Sequence, residues 1–454
     1  MLNKKNIQDI LPLLPLQITM LNTSIISGDS ELYKEINCYL LEKFVDEEKI
    51  KVAWNYVIQN NEVLRTVFRW KELSQPIQVV LKEKQCNYTV MELTDTDEVG
   101  FSKCVEDVCK QMLKTEINLE EDLFRITLIK KDNNYAALIV MNHHILFDGW
   151  SNAVMLAEFF EYYKNLADNK QILITKKESY SNCVKQVIME KKKYNKDFWI
   201  RYLSKYSEKE NENRKMRNMN YGIKNKSISS FKFNNNVLKR IRKSADDNKM
   251  SLAVYFYLAW AIFLHVYFNR DNVVFGVTFS GRPDHMINCM SLLINTFPLI
   301  IHINGNMKIQ EKLQELQDII NSIQENRNDS LTEIYRQNKD LSVIYFDSII
   351  VLQNYPINNI LWNNELMPIT IYKRFYKSEV ELNMSIQFFE NIQYEFEYES
   401  NKYSEVEISN ISEMYSQILE EIIFAEDIAT VIRNISDNRV NKVEFKEFNF
   451  DEIF

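Results

Sequence analysis

Two adjacent histidines, His143 and His144, are the strongest candidates for chemistry in this sequence. An imidazole can take up or give a proton near neutral pH, so it can act as a general base in group transfer. The apolar stretch 135–140 before the pair is typical of a buried strand, and Asp148 or Ser151 can cap a helix that begins after it. We therefore expect the pair to lie where a strand ends and a loop turns towards a helix, a common place for reactive groups.

The two imidazoles are not expected to act as a unit. Successive side chains of an extended strand point to opposite faces, so only one of the two can face a given cleft. A metal shared by the pair is disfavoured because the sequence shows no evident third ligand. For an isolated His-His pair the alternative interpretation is that both rings are hydrogen-bonded core residues without a catalytic role.

The composition excludes several other function classes. The 454 residues, 46 % hydrophobic and 26 % charged, are typical of a globular chain of two to four domains, or of two large ones. The seven glycines form no phosphate-binding loop, dinucleotide-binding turn or nucleophile elbow. A net charge of −8 disfavours nucleic acid as a partner. The six cysteines form no CxxC pair and the chain starts without an apolar leader, so we expect reduced thiols, no zinc site and a cytoplasmic protein.

Alternating strand-like and helix-like stretches predict an α/β fold with helices layered against sheets. Strands over 123–129 and 135–144, followed by an amphipathic helix over 151–167, would position the two histidines. The uncharged run 251–268 approaches the length of a membrane span, but its tyrosines and histidine favour a buried core helix, so no membrane partner is expected. A long helix over 180–206 is also predicted.

The run HHxxxDG from His143 to Gly149, followed by Trp150, resembles the active-site motif of the condensation domains of non-ribosomal peptide synthetases. The shorter form HxxxDG is shared by the wider chloramphenicol-acetyltransferase-like superfamily. Five further segments resemble motifs of the condensation domains in the family's order: PLLPLQ at 12–17, NEVLRTVF at 61–68, VFGVTFSGRP at 274–283, LINTFP at 293–298, and FDS through QNYP at 346–356. Four residues depart from the family pattern and leave HHxxxDG intact: Asn61, Ser291, Ile300 and Gln353.

The resemblance implies two chloramphenicol-acetyltransferase-like α/β sandwich lobes that form a V-shaped pseudo-dimer with a tunnel between them. We expect residues 1–175 to form the N-terminal lobe, which carries HHxxxDG, and residues 176–454 to form the C-terminal lobe. The resemblance also implies donor and acceptor peptidyl carrier proteins that dock at opposite mouths of the tunnel and deliver substrates on phosphopantetheine, with no metal and no bound cofactor. The carriers are expected in trans, or in cis if the chain is an excised domain, and the chain itself is expected to be a monomer.

The reaction that the resemblance implies is attack of an acceptor amine on a donor acyl thioester to form an amide bond. We assign the central role to His144, which either takes the amine proton or holds the amine and the tetrahedral intermediate by hydrogen bonds. The amide of Gly149, at a predicted helix start, is the candidate donor to the oxyanion. The form HHxxxDGWS resembles the type that accepts an L-configured or plain acyl donor.

The other site residues are expected to support this loop or to line the tunnel. By the family pattern Asp148 fixes the loop through an ion pair, for which Arg65 is the matching residue, although simple helix capping is the alternative. His143 is expected to be supportive and Arg282 to be structural. Three residues are predicted to line the substrate tunnel: Trp150, Asn295 and Asn354.

Other functions of the same fold remain open. An epimerase would carry an EGHGRE-like segment with a catalytic glutamate, whereas the corresponding region here reads TFSGRPDH. A heterocyclase would show DxxxxD in place of HHxxxD. The main alternative is a stand-alone acyltransferase that uses a soluble acceptor or a coenzyme A donor. A catalytically silent docking module is a further one, which the intact His144 and Asp148 disfavour.

Overall fold

A computed structural model describes most of the chain: residues 3–42, 45–93, 96–174, 176–190, 195–206, 226–327, 329–338, 343–346, 348–353, 369–378, 380–388 and 392–442. Twelve α-helices lie in this part: Pro15–Ser27, Glu47–Asn60, Glu98–Lys114, Gly149–Ala167, Tyr180–Glu190, Lys196–Leu203, Asn235–Asp247, Leu252–Phe268, Ile309–Glu325, Leu331–Gln337, Glu405–Glu421 and Ile428–Lys442. Three short 3₁₀-helices accompany them: Lys4–Asn6, Glu62–Arg65 and Asp284–Met286.

Fourteen strands in the described residues form three sheets. The strands are β1 (Ile7–Pro12), β2 (Lys34–Leu41), β3 (Thr66–Arg69), β4 (Ile77–Leu81), β5 (Asn87–Glu92), β6 (Phe124–Lys130), β7 (Ala136–His143), β8 (Lys226–Lys232), β9 (Asn272–Ser280), β10 (Ile294–His302), β11 (Ser348–Gln353), β12 (Ile369–Tyr376), β13 (Leu382–Gln387) and β14 (Gln393–Glu399). The sheet orders are β1-β4-β3, β12-β2-β7-β6-β5 and β10-β9-β11-β13-β14-β8. The predicted strands over 123–129 and 135–144 and the helix over 151–167 are thus confirmed to within two residues.

Strand β7 is the middle of the five-stranded sheet, and all eight of its residues are buried. Ala137, Ile139 and Met141 pack in one apolar cluster with side chains of the helix Glu98–Lys114. Side chains on the other face, such as Leu138, join the larger N-terminal cluster. Coverage on both faces explains why the strand reads as an unbroken apolar run. It also fixes the end of the strand, where the two histidines lie.

The helix Leu252–Phe268 lies in the core that covers the six-stranded sheet. Its residues Val254 to Leu264 are all buried, which confirms the prediction of a core helix. Among the described residues, no single helix combines the length and the hydropathy needed to cross a membrane. Only the helices Asn235–Asp247 and Leu252–Phe268 reach that measure together, and the pair is bent by 117°.

Segments that follow residue 175 contribute to the N-terminal half. Strand β12 pairs with β2, from Ile369 opposite Leu41 to Tyr376 opposite Glu35. Cys289 and Leu293 belong to the same apolar cluster as the core of the first half. The lobe boundary at 175/176 therefore stays a prediction, and elements of the second half pack into the first.

The predicted helix over 180–206 is described as two helices, Tyr180–Glu190 and Lys196–Leu203. Residues 191–194, which would join them, lie outside the described part of the chain. Ser204 is the C-cap of the second helix, so this helix ends before residue 206.

Candidate active site

The end of β7 separates the two histidines. His143, the last residue of the strand, is 4 % exposed, whereas the side chain of His144 is 22 % exposed. This split follows from the alternation of side chains along a strand. One ring is therefore part of the core, and the other can meet a substrate.

The ring of His144 is oriented by its Nδ1 atom. Nδ1 lies 2.8 Å from the carbonyl oxygen of Phe147, and a carbonyl oxygen can only accept a hydrogen bond. Nδ1 therefore carries the proton in the neutral ring, and Nε2 carries the lone pair. A carboxylate oxygen of Glu35 lies 3.6 Å from the same Nδ1. The main-chain N–H of His144 donates to the carbonyl oxygen of Tyr33 at 2.8 Å.

His143 is held in the opposite sense. Its Nδ1 accepts a hydrogen bond of 3.1 Å from the main-chain N–H of Ile145. Burial is the main cause that lowers the pKa of His143 to about 3, and the neighbouring His144 and Lys34 contribute to the same shift. The ring is therefore neutral at physiological pH, and it binds the main chain of the loop that follows it.

Asp148 forms its ion pair with Arg282, not with Arg65 as predicted. Arg282 Nη2 lies 3.1 Å and 3.2 Å from the two carboxylate oxygens, and both side chains are almost fully buried. Asp148 also accepts hydrogen bonds from the main-chain N–H groups of Ser151 and Leu293, each at 3.0 Å. Asp148 thus caps the helix and also joins the loop to residues 282–293, from which Arg282 and Leu293 contact it.

Arg65 binds main-chain carbonyl groups, which explains why the predicted pair with Asp148 does not form. Its guanidinium donates to the carbonyl oxygens of Ile58 and Gln59 at 3.3 Å each, at the end of the helix Glu47–Asn60. It also donates to the carbonyl oxygens of Leu81 and Lys82. The last carbonyl groups of a helix have no partners inside it and attract a cation. Arg65 therefore supports the helix end and the neighbouring strand β4.

Gly149 is the first residue of the helix Gly149–Ala167, for which Asp148 is the N-cap. The first N–H groups of a helix have no partner within it and point outward from its positive end. Trp150 donates from its indole N–H to the carbonyl oxygen of Ile287 at 2.8 Å, so it also contacts residues 282–293. The helix start that carries the Gly149 amide is thus held by two residues, Asp148 and Trp150.

Of the other two predicted tunnel residues, the structure describes Asn295 but not Asn354. Asn295 donates from its side-chain nitrogen to the carbonyl oxygens of Arg327 and Asp329, at 3.2 Å and 2.7 Å. These bonds brace a neighbouring loop. Asn354 lies outside the described residues.

Sequence reasoning gave no role to Gln17, which supports the loop from a third side. Its side chain is completely buried and donates to the carbonyl oxygen of Ile145 at 2.9 Å and to the hydroxyl of Tyr180 at 3.1 Å. The main-chain N–H of Leu14 donates to its Oε1 atom at 2.8 Å. Gln17 is the last residue of the motif at 12–17. The motif therefore marked Gln17 in the sequence, but not its hydrogen bonds to the loop.

Glu35 and Tyr33, the two residues that contact His144 from the start of β2, were also missed. Neither lies in a motif, and only the pairing of β2 with β7 brings them to the loop. Within the described part of the chain, no group of three or more His, Cys, Asp or Glu side chains is arranged to hold a metal ion.

Comparison with known proteins gives one family for almost the whole chain. The condensation-domain family model matches residues 7–430. Gramicidin S synthase 2 of Brevibacillus brevis is 26 % identical over 368 residues, which cover 80 % of this chain and 8 % of that protein. The first condensation domain of the calcium-dependent antibiotic synthetase, solved in complex with a substrate analogue, is similar with a TM-score of 0.74 at 13 % identity, and the match covers 93 % of this chain and 99 % of that one.

A variant of the starter condensation domain of rhizomide synthetase RzmA, solved in complex with C8-CoA, is similar with a TM-score of 0.72 at 13 % identity, and the match covers 92 % of this chain and 96 % of that one. These structural likenesses confirm the predicted α/β fold class. The chain spans between 6 % and 18 % of the length of the curated synthases to which it is most similar.

Proposed function

Because the chain belongs to the condensation-domain family, as its motifs predict, we propose that it forms an amide bond in non-ribosomal peptide biosynthesis. The donor is an acyl thioester on the phosphopantetheine of a carrier protein, and the acceptor is an amine. The observation that carries this proposal is the ring of His144, which is partly exposed and has its Nδ1 proton committed to the carbonyl oxygen of Phe147. The lone pair of Nε2 is thereby left to accept a proton.

The proposed step needs little from the protein. The amine nitrogen attacks the thioester carbonyl carbon, the new C–N bond forms, the C–S bond breaks, and the phosphopantetheine thiol leaves. The proton lost by the amine passes to Nε2 of His144 and then to the departing sulfur. Holding two tethered reactants in place can supply about 7–11 kcal/mol in the best oriented systems. A positioned base adds about 10²–10⁴-fold. A second version, in which His144 only holds the amine and the intermediate by hydrogen bonds, stays open.

The oxyanion of the tetrahedral intermediate needs a hydrogen-bond donor. The Gly149 amide, at the positive end of the helix Gly149–Ala167, is our candidate for it. The buried pair of Asp148 and Arg282 supports this role because it fixes the helix start. The amide and His144 lie at the two ends of one short loop, which suits the amide to the oxyanion and His144 to the attacking amine.

The proposal includes the arrangement of lobes and partners. We propose that lobes 1–175 and 176–454 form a V with a tunnel between them, and that Trp150, Asn295 and Asn354 line it. Donor and acceptor carrier proteins would dock at its two mouths, in trans or in cis, with a monomeric chain in the cytoplasm. The likeness to one segment of a much larger synthase supports partner domains that carry the substrates.

A coenzyme A donor is the second candidate, in a stand-alone acyltransferase with a soluble acceptor. The observation that favours it is the similarity to a starter condensation domain that was solved with C8-CoA. The chemistry at His144 is the same in both cases because each donor is a thioester. Only the docking of the donor differs.

Intact-mass analysis tests the proposal. An acyl-loaded donor carrier and an aminoacyl-loaded acceptor carrier are incubated with the protein, and we expect the acyl group to appear on the acceptor. His144→Ala should abolish or greatly reduce this transfer, while His302→Ala, a matched change at an exposed histidine, should not. Full transfer by the His144 variant would refute the mechanism. Transfer from acyl-coenzyme A but not from any loaded donor carrier would favour the second candidate.

A further inference from the structure

The turn between the helix Pro15–Ser27 and strand β2 holds the main chain of His144. Tyr33, at the end of this turn, has a φ of 61°, a left-handed conformation that residues with a Cβ atom rarely adopt. Its carbonyl oxygen accepts the N–H of His144, and its own N–H donates to the carbonyl oxygen of Lys377 at 3.1 Å. A strained conformation persists only where its surroundings hold it. The contacts that hold Tyr33 therefore also determine where His144 lies.

Lys377 supplies the charge that closes this turn. It directly follows β12, and its side chain is 4 % exposed. Its Nζ atom lies 2.7 Å from a carboxylate oxygen of Asp29 and 3.2 Å from one of Glu31. Two carboxylates that share a partly buried site repel each other unless a cation lies between them. Loss of this ammonium group would leave Asp29 and Glu31 without the cation that contacts both of them.

Short-range hydrogen bonds shape the turn itself. The main-chain N–H of Leu32 donates to the carbonyl oxygen of Asp29 at 3.3 Å, and that of Lys34 donates to the carbonyl oxygen of Glu31 at 3.2 Å. The N–H of Glu31 donates to the Asp29 side chain at 2.9 Å. None of these three bonds involves the His144 loop. The link to His144 runs through Tyr33, beside which Lys377 provides both a charge and a carbonyl group.

We propose that Lys377 is a positioning residue for His144. A residue from the second half of the chain holds Asp29 and Glu31, and through their turn it holds the Tyr33 carbonyl oxygen that fixes the His144 main chain. This inference rests on the proposed function because it concerns how His144 meets the substrate amine. A displacement of about 1 Å at a catalytic group can cost about 100-fold in rate.

Lys377→Met is the main test because methionine keeps an unbranched apolar stem and removes the charge. With two loaded carriers, we expect kcat to fall by about 10- to 100-fold while KM for each carrier changes by less than about threefold. Hydrogen exchange at the His144 amide should become faster, since the Tyr33 carbonyl oxygen is no longer held. Lys377→Arg keeps the charge and should recover a large part of both properties.

Lys402→Met is the matched control. Lys402 also lies between two glutamates: its Nζ atom contacts Glu381 and is 3.6 Å from Glu399. This pair of contacts lies at the end of β14 in the other sheet. The same substitution there should leave kcat and the exchange of the His144 amide unchanged.

Several outcomes would overturn the inference: a Lys377→Met variant with wild-type kcat and wild-type exchange at His144, or equal losses in the Lys377 and Lys402 variants. If Lys377→Met does not fold, Lys377→Gln keeps a polar donor and removes the charge, and unchanged exchange and kcat in that variant would be equally negative. If the wild-type protein forms no amide, the proposed function fails, and the exchange measurement alone then decides whether Lys377 holds the turn.

Discussion

His143 and His144 are neighbours in the chain, yet their surroundings differ in each property that governs proton transfer. The ring of His143 is buried, its Nδ1 accepts a hydrogen bond, and its pKa is lowered to about 3 by burial. The ring of His144 is partly exposed, and its Nδ1 donates a hydrogen bond to Phe147. One step along the chain thus changes a structural histidine into a candidate base.

The hydrogen bond of Nδ1 is as informative as exposure about which of the two rings can act as a base. In His143 the lone pair of Nδ1 is used within the loop, so the ring proton must lie on Nε2 of a ring that solvent hardly reaches. In His144 the loop uses the N–H instead and leaves the basic nitrogen for substrate. A sequence motif records both residues as histidine and cannot express this distinction.

His144→Gln is expected to have the largest effect and tests the assigned role directly. The glutamine amide can still form hydrogen bonds to an amine, but it cannot take up a proton. If His144 is a base, kcat should fall by about 10²–10⁴-fold, close to the loss in His144→Ala. The measurement is single-turnover acyl transfer between two loaded carriers. Activity of the glutamine variant near that of the wild type would assign His144 a positioning role instead.

Asp148→Asn should destabilise the loop that presents His144. The variant keeps the shape of Asp148 but leaves the buried guanidinium of Arg282 without its counter-charge. Removing one partner of a buried pair costs about 3–5 kcal/mol, and kcat should fall with it because Phe147, which orients His144, precedes Asp148 in the chain. Urea unfolding measures the change in the free energy of unfolding.

Asp168→Asn is the control for that loss because Asp168 pairs with Lys170 at 2.7 Å on the surface. It should leave the unfolding midpoint unchanged, since exposed ion pairs contribute little. If Asp148→Asn and Asp168→Asn were equally stable, the pair with Arg282 would not be what fixes the loop.

The local structure of the site follows from the sequence, whereas its long-range partners do not. The apolar run of β7 and the two candidate caps, Asp148 and Ser151, predict the strand end and the helix start to within two residues, because both are set by residues within a few positions. The pairing of Asp148 with Arg282 joins residues 134 positions apart, and any buried arginine would have satisfied the charge. Arg65 was excluded only by the carbonyl groups that it binds in the folded chain.

Strand β12 shows the same limit for the fold. No strand was predicted over its residues, and nothing in them indicates that they pair with β2, more than 300 positions earlier. The sequence therefore predicts the α/β class and the motif loop, while the contacts that bring Lys377 and Glu35 to His144 emerge only from the three-dimensional arrangement.

His143 should make the stability of the protein depend on pH. Its pKa is about 3 in the folded state and 6.5 in its ordinary state, so between these values the unfolded chain binds a proton that the folded protein does not. Stability should therefore fall as the pH is lowered below 6.5, with a contribution of about 1.4 kcal/mol per pH unit from this residue.

His143→Gln should remove this contribution and flatten the dependence, since a glutamine side chain can accept the Ile145 hydrogen bond without titrating. Urea unfolding at about pH 7 and about pH 5 measures the effect, and His302→Gln serves as an exposed control. A slope that is the same in both variants would mean that His143 is not the buried neutral ring described above.

Glu35→Gln changes only the surroundings of His144 and is expected to have a small effect on kcat. The carboxylate lies 3.6 Å from Nδ1 and would stabilise positive charge on the ring if Nε2 takes a proton during the reaction. Both side chains are partly exposed, so solvent screens the attraction and the loss in kcat should be no more than about fivefold, with KM unchanged. Glu92→Gln, which removes a carboxylate 3.9 Å from Lys130 on the same sheet, should show no loss. A positioning role for His144 places no charge on its ring. Identical kcat in Glu35→Gln and Glu92→Gln would therefore argue for that role and against the base.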